Sequence, residues 1–215
     1  MKIALIGASG FVGSAVLAEL LSRGHDVSAL VSRPERIAPA SGLTVTKVDA
    51  YDANSVATAV AGHDVVISAF NPGWDKADIQ ALFLRGHEAI VAGIKLAGVA
   101  RFIEVGGAGS LFVAPGMQLI DTPHFPAEWK EGALGAREAL RRLQGETALD
   151  WAFVSPPAML APGERSGRYR LGADDLLMAG EQPAGISVAD LAVAIVDEAE
   201  QARHQRRRFT VASVD

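Results

Sequence analysis

The segment Lys2-Ile3-Ala4-Leu5-Ile6-Gly7-Ala8-Ser9-Gly10-Phe11-Val12-Gly13-Ser14 limits what this chain can fold into more than any other. Ile3 to Ile6 is a short apolar run that reads as a buried strand. Gly7, Gly10 and Gly13 follow at G-x-x-G-x-x-G spacing. Val16, Leu17, Leu20 and Leu21 then recur at helical spacing up to Arg23-Gly24. A strand, a glycine turn and a helix in this order predict a βα unit that holds a diphosphate. Gly7 permits the tight turn, Gly10 lets backbone amides approach the ligand, and Gly13 lets the helix pack against the sheet. The helix N-terminus supplies free N–H donors and a partial positive charge.

The rest of the chain alternates in the same way. Strands are expected at Asp26 to Val31, Leu43 to Val48, Asp64 to Ala69, Arg101 to Val105, Asp150 to Ser155 and Arg208 to Ala212. Helices are expected at Ser55 to Ala61, Asp78 to Leu96, Glu128 to Leu143 and Leu191 to Glu200, the last capped at Ser187-Val188-Ala189-Asp190. Gly62 and Gly98 read as helix stops. Strands alternating with helices predict an α/β fold: a Rossmann-like doubly wound parallel sheet flanked by helices. One domain over residues 1–215 is expected, with 156–186 as a substrate-side segment of short strands and loops. Leu111 to Glu128, turn-prone and without clean periodicity, reads as a loop flanking the site.

Composition narrows the partners. A formal net charge of −5 leaves no basic surplus for nucleic acid. With no cysteine there is no disulfide, thiolate chemistry or cysteine metal site, and no metal site is expected. The N-terminus enters a strand directly and no long apolar run follows. The expectation is a cytoplasmic protein without a membrane partner, a monomer or homodimer.

Site residues are read from the strand ends. At the end of the second strand an acid would bind the 2′-hydroxyl of NAD, whereas an arginine suits a 2′-phosphate. Ser32 and Arg33 occupy that place, with Arg36 close by, so NADP(H) is favoured over NAD(H). Asp49 is either an adenine partner or a turn aspartate. Ser68, Ala69 and Phe70 end the fourth strand and are expected to line the cofactor. Gly106 to Leu111 forms a second glycine-rich turn at the same edge. His87, inside a predicted helix, reads as a surface or packing residue. Arg203, Arg206, Arg207 and Arg208 read as a solvated basic patch.

These features together resemble the NADH-flavin reductases, small atypical members of the short-chain dehydrogenase/reductase superfamily. They are similar to biliverdin-IXβ/flavin reductase and, more distantly, to NmrA-like proteins. The opening turn, Ser32-Arg33, Gly106 to Leu111, Ser155-Pro156-Pro157, Pro162 to Gly172 and Arg208 to Val211 carry the resemblance, which spans essentially the whole chain. It implies NADP(H) held by Gly7, Ser9, Gly10, Phe11, Val12 and Arg33, with the nicotinamide near Ser68, Ala69, Gly107 and Pro156. The implied activity is reduction of a flavin or similar planar acceptor.

The chain departs from classical members in lacking their Tyr-x-x-x-Lys pair. Neither Tyr51 nor Tyr169 is followed by lysine four residues on. Ketone reduction driven by a tyrosine acid is therefore not expected, whereas flavin reduction tolerates the loss. Candidate helpers are Ser110, a catalytic or a turn serine; His124, a loop histidine able to act as a general acid; and Lys130, a substrate contact or a solvated side chain. Phe70, Trp74, Phe112, Phe125 and Trp129 are candidates for stacking on a flat acceptor. Two rival readings share the nucleotide site: a non-catalytic NADP-binding redox sensor of the NmrA type, and a nucleotide-sugar epimerase or dehydratase.

Overall fold

The computed structural model describes residues 1–214. Eight strands form the central sheet: Lys2–Ile6 (β1), Asp26–Val31 (β2), Leu43–Lys47 (β3), Val65–Ser68 (β4), Arg101–Val105 (β5), Asp150–Ser155 (β6), Tyr169–Gly172 (β7) and Arg207–Ser213 (β8). Their order is β7-β8-β6-β5-β4-β1-β2-β3. All neighbours are parallel except the edge strand β7, which runs antiparallel to β8. The connectivity reverses between β1 and β4, and in open α/β sheets ligands bind beyond the strand ends at that point.

Five helices cover the sheet: Phe11–Ser22 (α1), Ala53–Val60 (α2), Ile79–Ala97 (α3), Ala127–Gln144 (α4) and Val188–Gln201 (α5). Alternation along each strand feeds two cores. Ile3 and Leu5 join Val16, Leu20, Leu191 and Ile195 under α1 and α5. Ala4 and Ile6 join Val56, Ile90, Leu140, Trp151 and Phe153 under α2, α3 and α4. Strands buried on both faces explain the unbroken apolar runs. Each large side chain buried this way contributes about 1.5–3 kcal/mol.

Several local expectations shift. α2 starts two residues before Ser55, because the Asp52 side chain caps it by accepting from the Asn54 amide at 2.9 Å. The stretch after Leu111 is not a bare loop: Phe112–Ala114 and Met117–Gln118 pair as a short hairpin, and Leu119–Asp121 adds a helical turn. Gly24, Gly62 and Gly98 do follow helix ends with φ of +76°, +74° and +70°.

Candidate nucleotide and acceptor site

The glycines of the first turn divide the work between packing and space. Gly7 sits at φ +78°, and a Cβ there would lie 2.5 Å from the Ala69 carbonyl oxygen. A Cβ on Gly13 would lie 2.1 Å from the Gly7 oxygen. Both glycines are therefore required by the fold itself. Gly10 differs: its Cβ would meet only the Gly7 oxygen, at 3.4 Å, and otherwise points into open space. Gly10 also forms the N-cap of α1. No side chain caps this helix, and its first turn carries no acid. Four N-terminal amides without an intrahelical acceptor leave a donor surface beside Ser9, Phe11 and Val12. Nothing anionic neutralises the end of the dipole, so the residues present fit a diphosphate.

Ser32 and Arg33 follow β2, both exposed, at the start of the short turn Pro34–Arg36. Among the described residues neither Arg33 nor Arg36 has an ion-pair or hydrogen-bond partner for its guanidinium, although most of the other arginines do. Asp49 lies beyond β3 and uses one carboxylate oxygen to accept from the Tyr51 amide at 2.9 Å, the turn geometry of an Asx motif. The Tyr51 ring is covered by the Arg85 guanidinium at 4.8 Å and meets the edge of Phe70 at 5.6 Å.

The carboxyl ends of β4, β5 and β6 meet where the resemblance sets the nicotinamide. Ser68 is buried and accepts the Phe70 amide at 3.4 Å. Ala69 and Gly107 are half-buried, and Pro156 is buried. The Phe70 ring is half-buried. It lies on Gly86 of α3, where a Cβ would come within 2.3 Å of it, and packs near Phe83 at 6.2 Å.

The three candidate helpers separate. His124 and Lys130 are exposed, with no side-chain partner among the described residues. Ser110 is 2% exposed, and Arg208 donates to its hydroxyl at 3.0 Å and to its carbonyl at 2.8 Å. Ser110 faces a groove of about 660 Å³ on the flank of α4, shared with Phe112, Arg137 and Asp174. Neither tyrosine stands with a lysine. The Tyr169 hydroxyl donates to Asp197 of α5 at 2.6 Å, and burial together with that bond pushes its pKa up to about 12.

One reading is corrected and one is narrowed. Arg208 is not part of a solvated patch. It is 7% exposed, holds Ser110, and donates to the Asp174 carboxylate at 2.8 Å. Alternation along β8 turns it inward, and only a distant partner reveals this. Of the two readings for His87, packing holds and surface does not. It is 3% exposed, with Nδ1 at 2.9 Å from a Glu104 oxygen that is equally buried. Burial alone would lower the His87 pKa, but the Glu104 carboxylate outweighs it and holds the imidazole above its ordinary value.

The segment expected on the substrate side is partly tied down elsewhere. Arg165 donates to buried Glu19 of α1 at 2.6 and 2.8 Å, and Ser166 and the Gly167 amide both donate to Asp190 at 2.7 Å. Glu19 is held below the usual carboxylate range, first by Arg165 and also by Arg23. Sequence reading missed this clasp because its partners are far apart in the chain.

A family model described as NAD(P)H-binding matches residues 7–199. The uncharacterized Bacillus subtilis protein YwnB is 36% identical over 99% of both chains. A Bacteroides thetaiotaomicron protein provisionally named an epimerase is 44% identical, covers 100% of this chain and 97% of its own, and superposes with a TM-score of 0.92. A Streptococcus pneumoniae protein provisionally named an NADH-flavin reductase is 33% identical over the whole of both chains, with a TM-score of 0.86.

Proposed function

This chain belongs to the NAD(P)H-binding family, and from that premise we propose that it is an NADPH-dependent reductase of a flavin or a similar planar acceptor. The observation that carries the reading is that Arg33, without a partner among the described residues, follows β2 at the same sheet edge where the neighbouring strand β1 leads into the uncapped, acid-free start of α1. The helix start suits a diphosphate, and the guanidinium fork suits one further phosphate on the same molecule. When bound, NADPH supplies two electrons with one hydrogen, and a single proton completes reduction of a flavin to its dihydro form.

The residues of the chain position the ring and do little else. The amides around Gly10 hold the diphosphate in a turn that Gly7 and Gly13 keep tight, while Ser68, Ala69, Gly107 and Pro156 bound the nicotinamide end. Tyr51 is covered by Arg85, and Tyr169 is bound to Asp197. No phenol is therefore assigned a proton, which comes from water. Positioning of this kind is an effective catalytic device for transfer between two flat rings. The same reading makes the chain a cytoplasmic protein, monomer or homodimer, that engages small molecules rather than nucleic acid or membrane. No helix among the described residues is long and apolar enough to cross a membrane.

Mixing NADPH with riboflavin, FMN, quinones and azo dyes tests the proposal through loss of nicotinamide absorbance. Oxidation that depends on the acceptor is expected. Tight binding of both NADP and NADPH with no turnover across that panel replaces the reductase by a redox sensor of the NmrA type, which the missing tyrosine acid also suits. Copurification of a sugar nucleotide favours the epimerase reading instead.

A further inference from the structure

The rim of the crevice keeps two large apolar rings in water. Trp74 is 60% exposed and Trp129 51% exposed, whereas Trp151 is buried at 2%. Trp74 belongs to the connection between β4 and α3. Its indole lies across α4 at Gly132, where a Cβ would come within 2.6 Å of the ring. Trp129 stands three residues earlier on α4, one turn toward the N-terminus on the same face. The helix then continues to the second glycine turn. A Cβ on Gly109 would lie 3.0 Å from Ala133, and one on Gly107 would lie 3.8 Å from Ala136. Both tryptophans thus share the first turns of α4 with the loop assigned to the nicotinamide.

The other aromatic candidates are accounted for elsewhere. Phe70 packs on Gly86, and Phe112 sits beneath the Arg208 guanidinium at 5.9 Å. Phe125 is half-buried.

We infer that Trp74 and Trp129 form the acceptor subsite and select a fused, flat aromatic ring system of isoalloxazine size over a compact carbonyl compound. This rests on the reductase reading and adds the residues that choose the substrate. The physical basis is the match of apolar, polarisable faces. An indole offers a broad face to a planar ring, with an attraction beyond simple area burial. A small ketone or a sugar would leave most of that surface wet. Trp74 is carried by a connection that includes Gly73 at φ +115°. Trp129 is fixed to a helix. The pair therefore combines one ring carried by a helix with one carried by a turn.

The test is a binding titration in which no turnover is needed. Riboflavin, which carries no phosphate, is added to protein saturated with NADP⁺, and quenching of the flavin's own visible emission is followed. Saturable quenching is expected for the wild type. Trp74→Ala and Trp129→Ala should each weaken riboflavin by about tenfold, and the double variant should abolish saturation. NADPH affinity should change by less than about twofold in all three, which also shows that they fold. Trp74→Phe and Trp129→Phe, which keep an aromatic face, should fall between wild type and alanine. Absence of quenching by the wild type, or equal riboflavin affinity in wild type and both alanine variants, overturns the inference. The reductase reading fails separately, when no acceptor of any class oxidises NADPH.

Discussion

Arg33 and Arg208 carry the same guanidinium in opposite circumstances. Arg33 stands beyond β2, exposed and without a partner among the described residues, at the sheet edge where the neighbouring β1 leads into a helix start that has donors and no acid. Arg208 stands on the flank under α4, 7% exposed, with its donors spent on Ser110 and Asp174. The contrast extends to whole regions. On the flanks, Glu19, Arg23, Arg165, Asp197 and Glu200 form a closed network, Arg101 pairs with Glu198, and Glu104 pairs with His87. Around the crevice, Arg33, Trp74 and Trp129 are exposed. A satisfied charge holds this fold together, and an unsatisfied one at a strand end is available to a ligand.

The largest effects that could break this division lie on the flank. Glu104→Ala removes the acceptor of a buried imidazole and opens a cavity beside it, and is expected to cost about 3 kcal/mol of unfolding free energy, because the ring is left without its partner inside. Denaturant unfolding measures it. A loss confined to NADPH affinity, with stability intact, would place Glu104 on the wrong side of the comparison. Next come the two glycines of the first turn. Gly13→Ala drives a Cβ against the Gly7 backbone, so a fall of about 1–3 kcal/mol in stability is expected, together with loss of nucleotide binding. Gly10→Ala meets no such obstacle within the protein. It should fold normally and weaken NADPH. Equal stability losses for the two would remove the distinction between packing and ligand glycines.

Arg33→Ala sharpens the same boundary on the rim. A charge-assisted bond to phosphate is worth about 1.5–3 kcal/mol, so NADPH should weaken by roughly ten- to a hundredfold while NADH is hardly changed. Calorimetry with both cofactors decides it, and an equal loss for the two removes the case for NADP. Unfolding stability should stay as it was, since nothing in the fold leans on this side chain.

The two kinds of region also differ in how well the sequence announces them. The first βα unit is local. Gly13 meets the Gly7 backbone and Gly10 caps the helix, so spacing reveals the unit, although the Ala69 oxygen that Gly7 approaches lies at the end of β4. Helix stops at Gly62 and Gly98, and the Ser187 cap of α5, are equally local. The pairing of His87 with Glu104, or of Arg208 with Ser110 across 98 positions, depends on which strands become neighbours. No local pattern encodes that choice. Among the aromatics, residue type was visible in the sequence, but burial decided between Phe70, turned onto Gly86, and Trp74 and Trp129, left on the rim.

A smaller effect follows from proton uptake on the flank. The His87 pKa is raised in the folded state, because Glu104 outweighs the penalty of burial. The sign is set by that direction. The stabilisation from His87 is complete below the ordinary imidazole value of 6.5 and is lost as pH rises through the folded value. Stability should therefore decline as pH rises from 6.5 through the raised folded value, by an amount that His87→Gln removes. Equilibrium unfolding of both proteins across this range gives the difference curve. A difference that grows with pH would reverse the assignment.

The smallest expected effect tests where the segment 156–186 belongs. Arg165 is half in solvent and clasps Glu19 from outside, while Arg23, the C-cap of α1, donates to the same carboxylate at 2.8 Å. Arg165→Ala leaves Glu19 with one partner, and Ser166 and Gly167 still anchor the loop to Asp190. Only a slight fall in Tm is expected. If this part of the segment is a strap that closes the flank of α1 and α5, the KM values for NADPH and for the acceptor should both stay at wild-type level. If the segment instead faces the substrate, freeing it should change the acceptor KM while leaving NADPH alone. The side of the boundary on which this stretch lies is thus read from a single pair of kinetic constants, because the two roles predict the same stability and different substrate dependence.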